Sequence, residues 1–325
     1  MSAMIQKTTS KPIKRVGYAA MGLEGFYGGI EDDKSVDALK HALDRELMID
    51  RADAYGGGHN KQLIAKAITG RLDETFIATK FGIVLDENEK GNSLETGWGF
   101  SLNINGTPDY MNRALNNSLL RLGTDYIDLY YAHYADPGTP IEETVHGMSR
   151  AVDAGKVRYL DLSNVTADQV RRAHAIHPIA AVQYEYSLWR REAETELLPT
   201  LRELGIALVA WAPLGAGFLA GKTENLAEGD FRNNNPRFSG ENGAANRDKF
   251  APLKDIAQEL GITPAQLAIA WLLHQGDDIY VIPGSRKTSR IDENAAAESV
   301  SLSSDILVRI EQLMPAGSAQ GATLV

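Results

Sequence analysis

The sequence contains no cysteine in its 325 residues. Disulfide bonds, thiolate nucleophiles and cysteine-ligated metals are therefore excluded as a basis for stability or chemistry. A chain without disulfides suits a reducing compartment, so we expect a cytoplasmic protein. No pattern of other ligands suggests a metal site, and we predict none.

Basic residues are fewer than acidic ones. The sequence has 33 Lys and Arg against 43 Asp and Glu, which gives a formal net charge of −10. Nucleic acids and anionic membranes need a basic footprint, which is missing here. No run approaches the roughly 18 apolar residues of a membrane span, and residues 1–15 lack the apolar core of a signal peptide. We therefore predict neither a nucleic-acid nor a membrane partner.

Short apolar runs alternate with amphipathic helical stretches from about Val16 onwards. This alternation is typical of repeated strand–helix units. Several runs are apolar on both faces, which indicates strands that are buried on both sides. The predicted strands are Val16–Met21, Met48–Ala52, Phe76–Lys80, Ile127–His133, Val157–Leu162, Ala181–Tyr184, Ala207–Ala212 and Ile279–Pro283.

The helices between these strands have clear start and stop signals. Thr107 and Pro108 precede an apolar stripe that ends before Gly123, the pattern of an N-cap, a first-turn proline and a glycine stop. Thr166 and Gln169 have the spacing of a capping box. These signals predict helices at both places.

Eight strand–helix repeats without a dividing linker predict one (β/α)8 TIM barrel domain over residues 1–325. We expect residues 1–14 to be a flexible N-terminus and the chain to end in an additional helix. Barrel enzymes build their sites on the loops that follow the strands. The loops after the third and seventh strands, Ile83–Gly106 and Gly215–Asn246, are long and polar. Such loops are usually functional or disordered.

Polar residues end several apolar runs. Asp50 ends the second run with Tyr55 just beyond it, and Lys80 and His133 end the third and fourth. In a barrel these side chains converge at one mouth, where an unpaired charge is costly. A Tyr phenol has a pKa near ~10, so we expect a nearby ammonium in a desolvated site to bring it toward the working range. With Asp50 holding Lys80 and His133 orienting a carbonyl oxygen, this predicts carbonyl reduction.

The polar strand ends and the turns around them lie in the fragments Asp50-Arg-Ala-Asp-Ala-Tyr55-Gly, Thr79-Lys80-Phe-Gly, Ile127-Asp-Leu-Tyr-Tyr-Ala-His133, Leu162-Ser163-Asn164, Gln183-Tyr-Glu-Tyr-Ser and Ile282-Pro-Gly-Ser-Arg286. In this order, and along nearly the whole chain, they resemble the aldo-keto reductase family. The resemblance implies an NADP(H)-dependent reductase or alcohol dehydrogenase acting on a small carbonyl or alcohol. It also implies that Tyr55 is the general acid, that Lys80 and Asp50 tune it, and that His133 orients the substrate.

The resemblance extends to the cofactor. Ser163, Asn164 and Gln183 match positions that hold the nicotinamide carboxamide, and Trp211 falls where the family places an aromatic ring against the nicotinamide. Hydroxyl and amide groups supply the donors and acceptors that a carboxamide needs, and a flat ring leaves one face of the nicotinamide free.

Two further groups complete the NADP(H) site that the resemblance implies. Leu214 and Gly217 resemble backbone contacts to the pyrophosphate. Guanidinium groups suit phosphate geometry, so an Arg pair can select NADPH over NADH on an acidic protein. The positions that resemble those around the adenosine 2′-phosphate and the adenine are Ser285, Arg286, Arg290, Glu293 and Asn294.

The sequence departs from the family pattern at four places. Residues 41–50 are one residue short and lack the glycine expected between helix and strand. Arg51 replaces the usual Thr and introduces a second cation that is expected to compete with Lys80 for Asp50. Asp161 stands where a glycine is common, and Ala212 replaces a serine. These departures leave the level of activity open.

Other interpretations remain open at this stage. Asp50 and Lys80 could form a purely structural ion pair, and His133 or Trp211 could simply be core residues. A desolvated Lys80 also suits a Schiff-base lyase. The family resemblance further includes potassium-channel β subunits, so an NADP(H)-binding regulatory subunit is a third hypothesis. The sequence does not predict the oligomeric state.

The substrate is not identified by the sequence. We expect the rim of the pocket to be built from aromatic residues, which favour an apolar or ring-shaped carbonyl. These residues are Phe26, Tyr27, Trp98, Phe100, Tyr134 and Trp189.

Overall fold

The computed structural model describes residues 13–223 and 226–324. Of residues 1–14, predicted to be flexible, all but Ile13 and Lys14 lie outside the described residues. The strands, numbered in chain order, are β1 Tyr18–Ala19, β2 Ile49–Asp50, β3 Ile77–Phe81, β4 Asn92–Glu95, β5 Ser101–Ile104, β6 Ile127–Ala132, β7 Val157–Ser163, β8 Ile179–Glu185, β9 Ala207–Trp211 and β10 Ile279–Val281.

A parallel sheet of eight strands forms the centre of the fold, in the order β1-β2-β3-β6-β7-β8-β9-β10. Its two ends meet where Val16 bridges Val281. The Gly17 amide donates to the Val281 carbonyl at 2.8 Å, and the Val281 amide donates to the Arg15 carbonyl at 2.8 Å. These bonds close the sheet, which confirms the predicted (β/α)8 barrel. All eight predicted barrel strands are present, with β1 shortened because the chain enters a 3₁₀ turn at Ala20–Leu23.

Helices alternate with the strands. The predicted start at Thr107 is confirmed, because its side chain accepts a hydrogen bond from the Tyr110 amide, and the helix ends at Gly123 with φ 66°. Thr166 forms the predicted capping box. The helices are α1 Asp32–Asp44, α2 His59–Ile68, α3 Pro108–Leu122, α4 Ile141–Asp153, α5 Ala167–Ile176, α6 Leu197–Leu204, α7 Gly240–Phe250, α8 Pro252–Glu259, α9 Pro264–Leu273, α10 Thr288–Ala296 and α11 Ser304–Leu313.

Apolar side chains fill the barrel lumen and the layer between strands and helices. The outer layer is the larger core and includes Met111, Val145 and Leu267. Burial of each large apolar side chain contributes roughly 1.5–3 kcal/mol, so the strands form a rigid support for the residues at their ends. The lumen cluster consists of Met48, Ala78, Leu129, Tyr131, Ala180, Ala181, Ala207, Val209, Tyr280 and Ile282.

The most apolar helix is α9. Its residues Ala265 and Leu267–Leu273 are all buried, because the helix packs against its neighbours α8 and α10 and against β10. Across residues 13–223 and 226–324, no single helix is long and apolar enough to cross a membrane. Only the pair Gly240–Glu259 and Pro264–Leu273, bent by 93°, passes that test by length and composition.

The long loop after β3 folds into an antiparallel hairpin of β4 and β5. The Asp136 carboxylate, in the loop after β6, fixes this hairpin. It accepts hydrogen bonds from Asn92 Nδ2, the Gly106 amide, the Gly138 amide and Thr139 Oγ1, each at 2.8 Å. One buried carboxylate therefore joins the loops that follow β3 and β6.

We expect Asp136→Ala to lower the free energy of unfolding by about 3 kcal/mol, because buried donors lose their acceptor. Chemical denaturation of the purified protein measures this change. Asp136→Asn is the matched control, since it keeps one acceptor oxygen and is expected to lose less. A loss in Asp136→Ala no larger than in the control would contradict this account.

Candidate active site

The carboxyl ends of β2 and β3 bring together a buried ion pair. Lys80 Nζ donates to Asp50 Oδ1 and, at 3.1 Å, to the Arg51 carbonyl. Gln183 Nε2, from β8, donates to Asp50 Oδ2 at 2.8 Å. The side chains of Lys80 and Asp50 are only 1% and 2% exposed. Such burial is tolerated because each charge has an opposite charge and hydrogen bonds.

Tyr55 lies beside this pair. The centroid of its ring is 5.8 Å from Lys80 Nζ and 6.4 Å from the centroid of the His133 ring, which it meets edge to face. The chain turns sharply just after Tyr55, at Gly56, where φ is 61° and a Cβ atom would lie 2.0 Å from the Glu24 carboxylate. The structure therefore brings together all four residues predicted for the chemistry.

Burial controls the protonation of these groups. It raises the pKa of Tyr55 well above the usual value, and the negative charge of Asp50 adds to the effect. The expectation that a nearby ammonium in a desolvated site lowers this pKa is wrong for this arrangement, because desolvation penalises the phenolate more than the charge of Arg51 favours it. Tyr55 is therefore a protonated phenol at neutral pH, the state that a proton donor requires.

Burial lowers the pKa values of the Lys80 amine and the His133 imidazole, the opposite of its effect on Tyr55. Burial lowers the pKa of Lys80, an effect that Asp50 opposes. Burial and the charge of Lys80 hold the pKa of His133 well below its usual value, so its imidazole is neutral at neutral pH. The buried His133 Nδ1 has no hydrogen-bond partner among the described residues. A neutral imidazole of this kind can hydrogen-bond to a substrate oxygen.

A chain of hydrogen bonds links the ends of β6, β7 and β9. Trp211 Nε1 donates to Asn164 Oδ1 at 3.1 Å. Asn164 Nδ2 donates to Ser163 Oγ at 3.0 Å and to the His133 carbonyl at 3.1 Å. Asn164 has a left-handed backbone with φ 54°, which this residue type tolerates. The residues predicted to hold the nicotinamide thus lie next to His133, while Gln183 also supports Asp50.

The loop after β9 contains the predicted pyrophosphate contacts. Leu214 precedes a short 3₁₀ turn that ends at Gly217, whose φ of 95° favours glycine. Arg232 holds this turn, because its Nη1 donates to the Ala216 carbonyl at 3.2 Å and its other nitrogens bind the Asp230 carboxylate. No signal in the sequence indicates this role of Arg232, since its contacts depend on how the loop folds.

The residues predicted for the 2′-phosphate lie after β10 and in α10. Arg286 Nη1 donates to the Gly28 carbonyl at 2.9 Å, and Arg290 forms an ion pair with Glu293. Ser285 Oγ accepts from the Lys287 amide at 3.1 Å. Two guanidinium groups, a hydroxyl and the N-terminus of α10 form a donor set that suits a phosphate. Asn294, predicted near the adenine, is buried.

The structure also accounts for two departures from the family pattern. Arg51 is 0% exposed, but its Nη2 donates to the Ala52 carbonyl at 3.1 Å, and no ion pair joins it to Asp50. Arg51 therefore does not replace Lys80 as a hydrogen-bond partner of Asp50, although the charges of Asp53 and Asp50 both act on Arg51. Burial lowers the pKa of Arg51 to about 9 and raises that of Asp53 to about 7.

The second departure is the missing glycine between helix and strand. Glu46 supplies the left-handed turn after α1 in its place, with φ 58°.

Aromatic residues from three loops meet above Tyr55. Phe26 contacts Tyr55 at 5.9 Å between ring centroids, and Phe231 contacts Phe26 at 5.8 Å, Trp98 at 5.3 Å and Phe100 at 6.2 Å. Phe231 was not predicted. We call Phe26, Trp98, Phe100 and Phe231 the aromatic cluster.

Two other aromatic residues predicted for the rim lie deeper. Tyr134 stacks on His133 with a centroid distance of 5.1 Å and is buried. Trp189 was wrongly predicted to line the rim. It is buried and stacks on Phe218 at 4.4 Å, because the loop after β9 folds over it.

Relatives were found by comparison of the sequence with known proteins. The Aldo/keto reductase family model matches residues 15–315. A protein from Glycine max named "Probable aldo-keto reductase 1" is 40% identical over 315 residues, covering 95% of this chain and 88% of that protein. The "Aldo-keto reductase yakc [NADP(+)]" of Schizosaccharomyces pombe is 39% identical over 331 residues, covering 99% and 94%.

Solved structures show the same architecture. A glycerol dehydrogenase from Gluconobacter oxydans superposes with a TM-score of 0.82 at 26% identity, covering 94% of this chain and 92% of the other. An aldo/keto reductase from Klebsiella pneumoniae, in complex with NADP and acetate, gives 0.73 at 25% identity and covers 96% of each chain. The family match over almost the whole sequence confirms the resemblance carried by the strand-end fragments, and this chain belongs to the aldo/keto reductase family.

Proposed function

We propose that this protein is an NADPH-dependent reductase that converts an aldehyde or ketone to an alcohol, reversibly in principle, with Tyr55 as the general acid. The observation that carries the proposal is the buried Lys80–Asp50 pair beside the rings of Tyr55 and His133. A protonated phenol, an ammonium and a neutral imidazole at one barrel mouth are suited to deliver a proton to a carbonyl oxygen. Membership of the aldo/keto reductase family supports this reaction class.

The residues of this chain have distinct roles in the proposed reaction. When bound, NADPH supplies a hydride to the carbonyl carbon. Tyr55 donates its proton to the carbonyl oxygen, and the ammonium of Lys80 stabilises the tyrosinate that remains. His133 orients the oxygen through a hydrogen bond. The aromatic cluster beside Tyr55 supports an apolar or ring-shaped carbonyl as the substrate.

The choice of NADPH rests on the donor set around α10. Ser285, Arg286 and Arg290 would bind the 2′-phosphate, and release of Arg290 from Glu293 would accompany binding. Ser163, Asn164 and Trp211 would hold the nicotinamide beside His133. The fission-yeast relative carries NADP(+) in its name, and the Klebsiella structure contains NADP, which supports the same cofactor here.

The ion pairing of Lys80 favours reduction over Schiff-base chemistry. Its Nζ atom donates to Asp50 and to the Arg51 carbonyl, so the amine is held as an ammonium, whereas a Schiff base requires a free amine. A regulatory subunit that only senses NADP(H) would bind the cofactor without appreciable turnover. Measured carbonyl reduction by the wild-type protein therefore separates that hypothesis from the proposed enzyme.

Tyr55→Phe is expected to reduce kcat by about a thousandfold, because the phenyl ring has no proton to donate. Its affinity for NADPH, measured by fluorescence titration, is expected to stay close to that of the wild type. Tyr126→Phe, a half-buried tyrosine that packs against Arg158 away from the mouth, is the control and should retain full turnover. A Tyr55→Phe variant with the wild-type rate would refute the assignment.

Arg286→Ala and Arg290→Ala are each expected to weaken NADPH binding by about tenfold or more, because a charged hydrogen bond to the phosphate is lost. NADH lacks that phosphate, so its affinity should change little. Arg309→Ala is the control. Arg309 lies on α11, and its guanidinium is paired with Glu259 at the end of α8, so it belongs to neither part of the predicted cofactor site. Equal losses for NADPH and NADH would count against the phosphate site.

A further inference from the structure

The turn that follows Tyr55 has little stiffness of its own. Gly56, Gly57 and Gly58 have positive φ angles of 61°, 58° and 111°, which suit glycine but leave the turn without side chains that could pack. The Tyr55 amide donates to the Ala52 carbonyl, and the Tyr55 carbonyl accepts from the Gly58 amide, each at 3.4 Å. Both bonds are longer than the usual ~2.9–3.0 Å. Groups outside the turn must therefore fix the position of the Tyr55 ring.

A carboxylate from the loop after β1 lies against this turn. The Glu24 side chain is only 5% exposed, and a Cβ atom at Gly56 would collide with it. Asn60 Nδ2 donates to Glu24 Oε1 at 3.1 Å, and His59 Nδ1 is hydrogen-bonded to Glu24 Oε2 at 3.2 Å. His59 and Asn60 begin α2, directly after the turn. Glu24 therefore joins the loop after β1 to the segment that carries Tyr55.

The two partners of Glu24 are themselves anchored. Asn60 is 0% exposed, and its Nδ2 atom also donates to the Ala20 carbonyl at 3.1 Å. His59 Nε2 is hydrogen-bonded to Asp32 Oδ2, in the first turn of α1, at 3.1 Å. Hydrogen bonds to a carboxylate are stronger than those between neutral groups. The start of α2 is thus held to the loop after β1 and to α1 around one carboxylate.

The loop that contains Glu24 also places an aromatic ring against Tyr55. Phe26, two residues beyond Glu24, meets the Tyr55 ring edge to face at 5.9 Å between centroids. The Phe26 carbonyl accepts from the Phe231 amide at 3.0 Å. Glu24 is therefore connected to Tyr55 in two ways, through the backbone turn and through the ring of Phe26.

We propose that Glu24 is a positioning residue for the general acid. Its carboxylate holds the glycine turn and the Phe26 loop together, so that the Tyr55 hydroxyl is aimed at the carbonyl oxygen of the substrate. Glu24 acts through Tyr55 and takes no part in proton transfer itself. The inference rests on the proposed function. A catalytic group misplaced by ~1 Å can cost up to ~100-fold in rate, so loss of this anchor slows the chemical step more than it weakens binding.

The test compares Glu24→Ala and Glu24→Gln with the wild type. Product release limits kcat in many enzymes, so the rate measured is that of hydride transfer in a single turnover, from the loss of NADPH absorbance on mixing with benzaldehyde. We expect this rate to fall about tenfold in Glu24→Ala, while the KM for NADPH stays close to that of the wild type.

Glu24→Gln should restore the rate of hydride transfer nearly to that of the wild type. Its side-chain oxygen can still accept from Asn60 Nδ2, and its amide can donate to Nδ1 of a neutral His59. A residue needed only for stability would not give a slow chemical step with unchanged NADPH binding and rescue by glutamine.

The matched control is Asp128→Ala. Asp128 is also a buried carboxylate, which accepts from the Ile77 amide at 2.8 Å and from Arg158 at 2.7 Å. These contacts lie at the amino ends of β3 and β6, away from the barrel mouth. Asp128→Ala should lower stability, because a buried donor loses its acceptor, and leave the rate of hydride transfer unchanged.

His59→Ala keeps the proposal testable should Glu24→Ala fail to fold. The His59 side chain is 43% exposed, so its removal is well tolerated, and loss of one bond to Glu24 should slow hydride transfer about threefold. Wild-type hydride transfer in Glu24→Ala, or in His59→Ala where Glu24→Ala does not fold, would overturn the inference, as would a Glu24→Gln variant as slow as Glu24→Ala.

The failure of this inference differs from a failure of the proposed function. If the inference alone is wrong, the Glu24 variants turn over normally while Tyr55→Phe is inactive. A wild type that reduces neither benzaldehyde nor any other aldehyde or ketone would instead overturn the proposed function, and with it the role of Glu24.

Discussion

The ion pair between Lys80 and Asp50 is the interaction on which the candidate site depends. Two side chains that are almost fully buried can stay charged only with partners in good geometry, and Gln183 and the Arg51 carbonyl complete the set. Removing one partner of such a pair typically costs ~3–5 kcal/mol. The closed barrel satisfies this requirement, because it fixes the ends of β2, β3 and β8 around one lumen.

The ion pair lies beneath a cover built by the loops. The hairpin of β4 and β5, held by Asp136, brings Trp98 and Phe100 over the mouth. The loop after β9 contributes Phe231, whose amide donates to the Phe26 carbonyl at 3.0 Å. This cover desolvates Tyr55, and desolvation favours a neutral phenol over a phenolate.

Several features were accessible from the sequence because their causes are local. The alternation of apolar runs predicted the eight barrel strands, and Thr107, Thr166 and Gly123 predicted helix ends, since caps act within one helical turn. The predicted convergence of Asp50, Tyr55, Lys80 and His133 followed from a general property of parallel barrels, whose strand ends share one mouth. The direction of the Tyr55 pKa, the partner of Arg51 and the burial of Trp189 were not predicted correctly.

The sequence by itself determined the order of strands and helices, the family and the residue types at the strand ends. Tertiary structure alone decided that Arg51 donates to the Ala52 carbonyl, that Phe231 contacts Phe26 across the mouth, and that Arg232 holds the turn at Ala216. The physical reason is distance along the chain. Periodicity and capping depend on neighbours a few residues away, whereas desolvation and ion pairing depend on groups that only the folded barrel brings together.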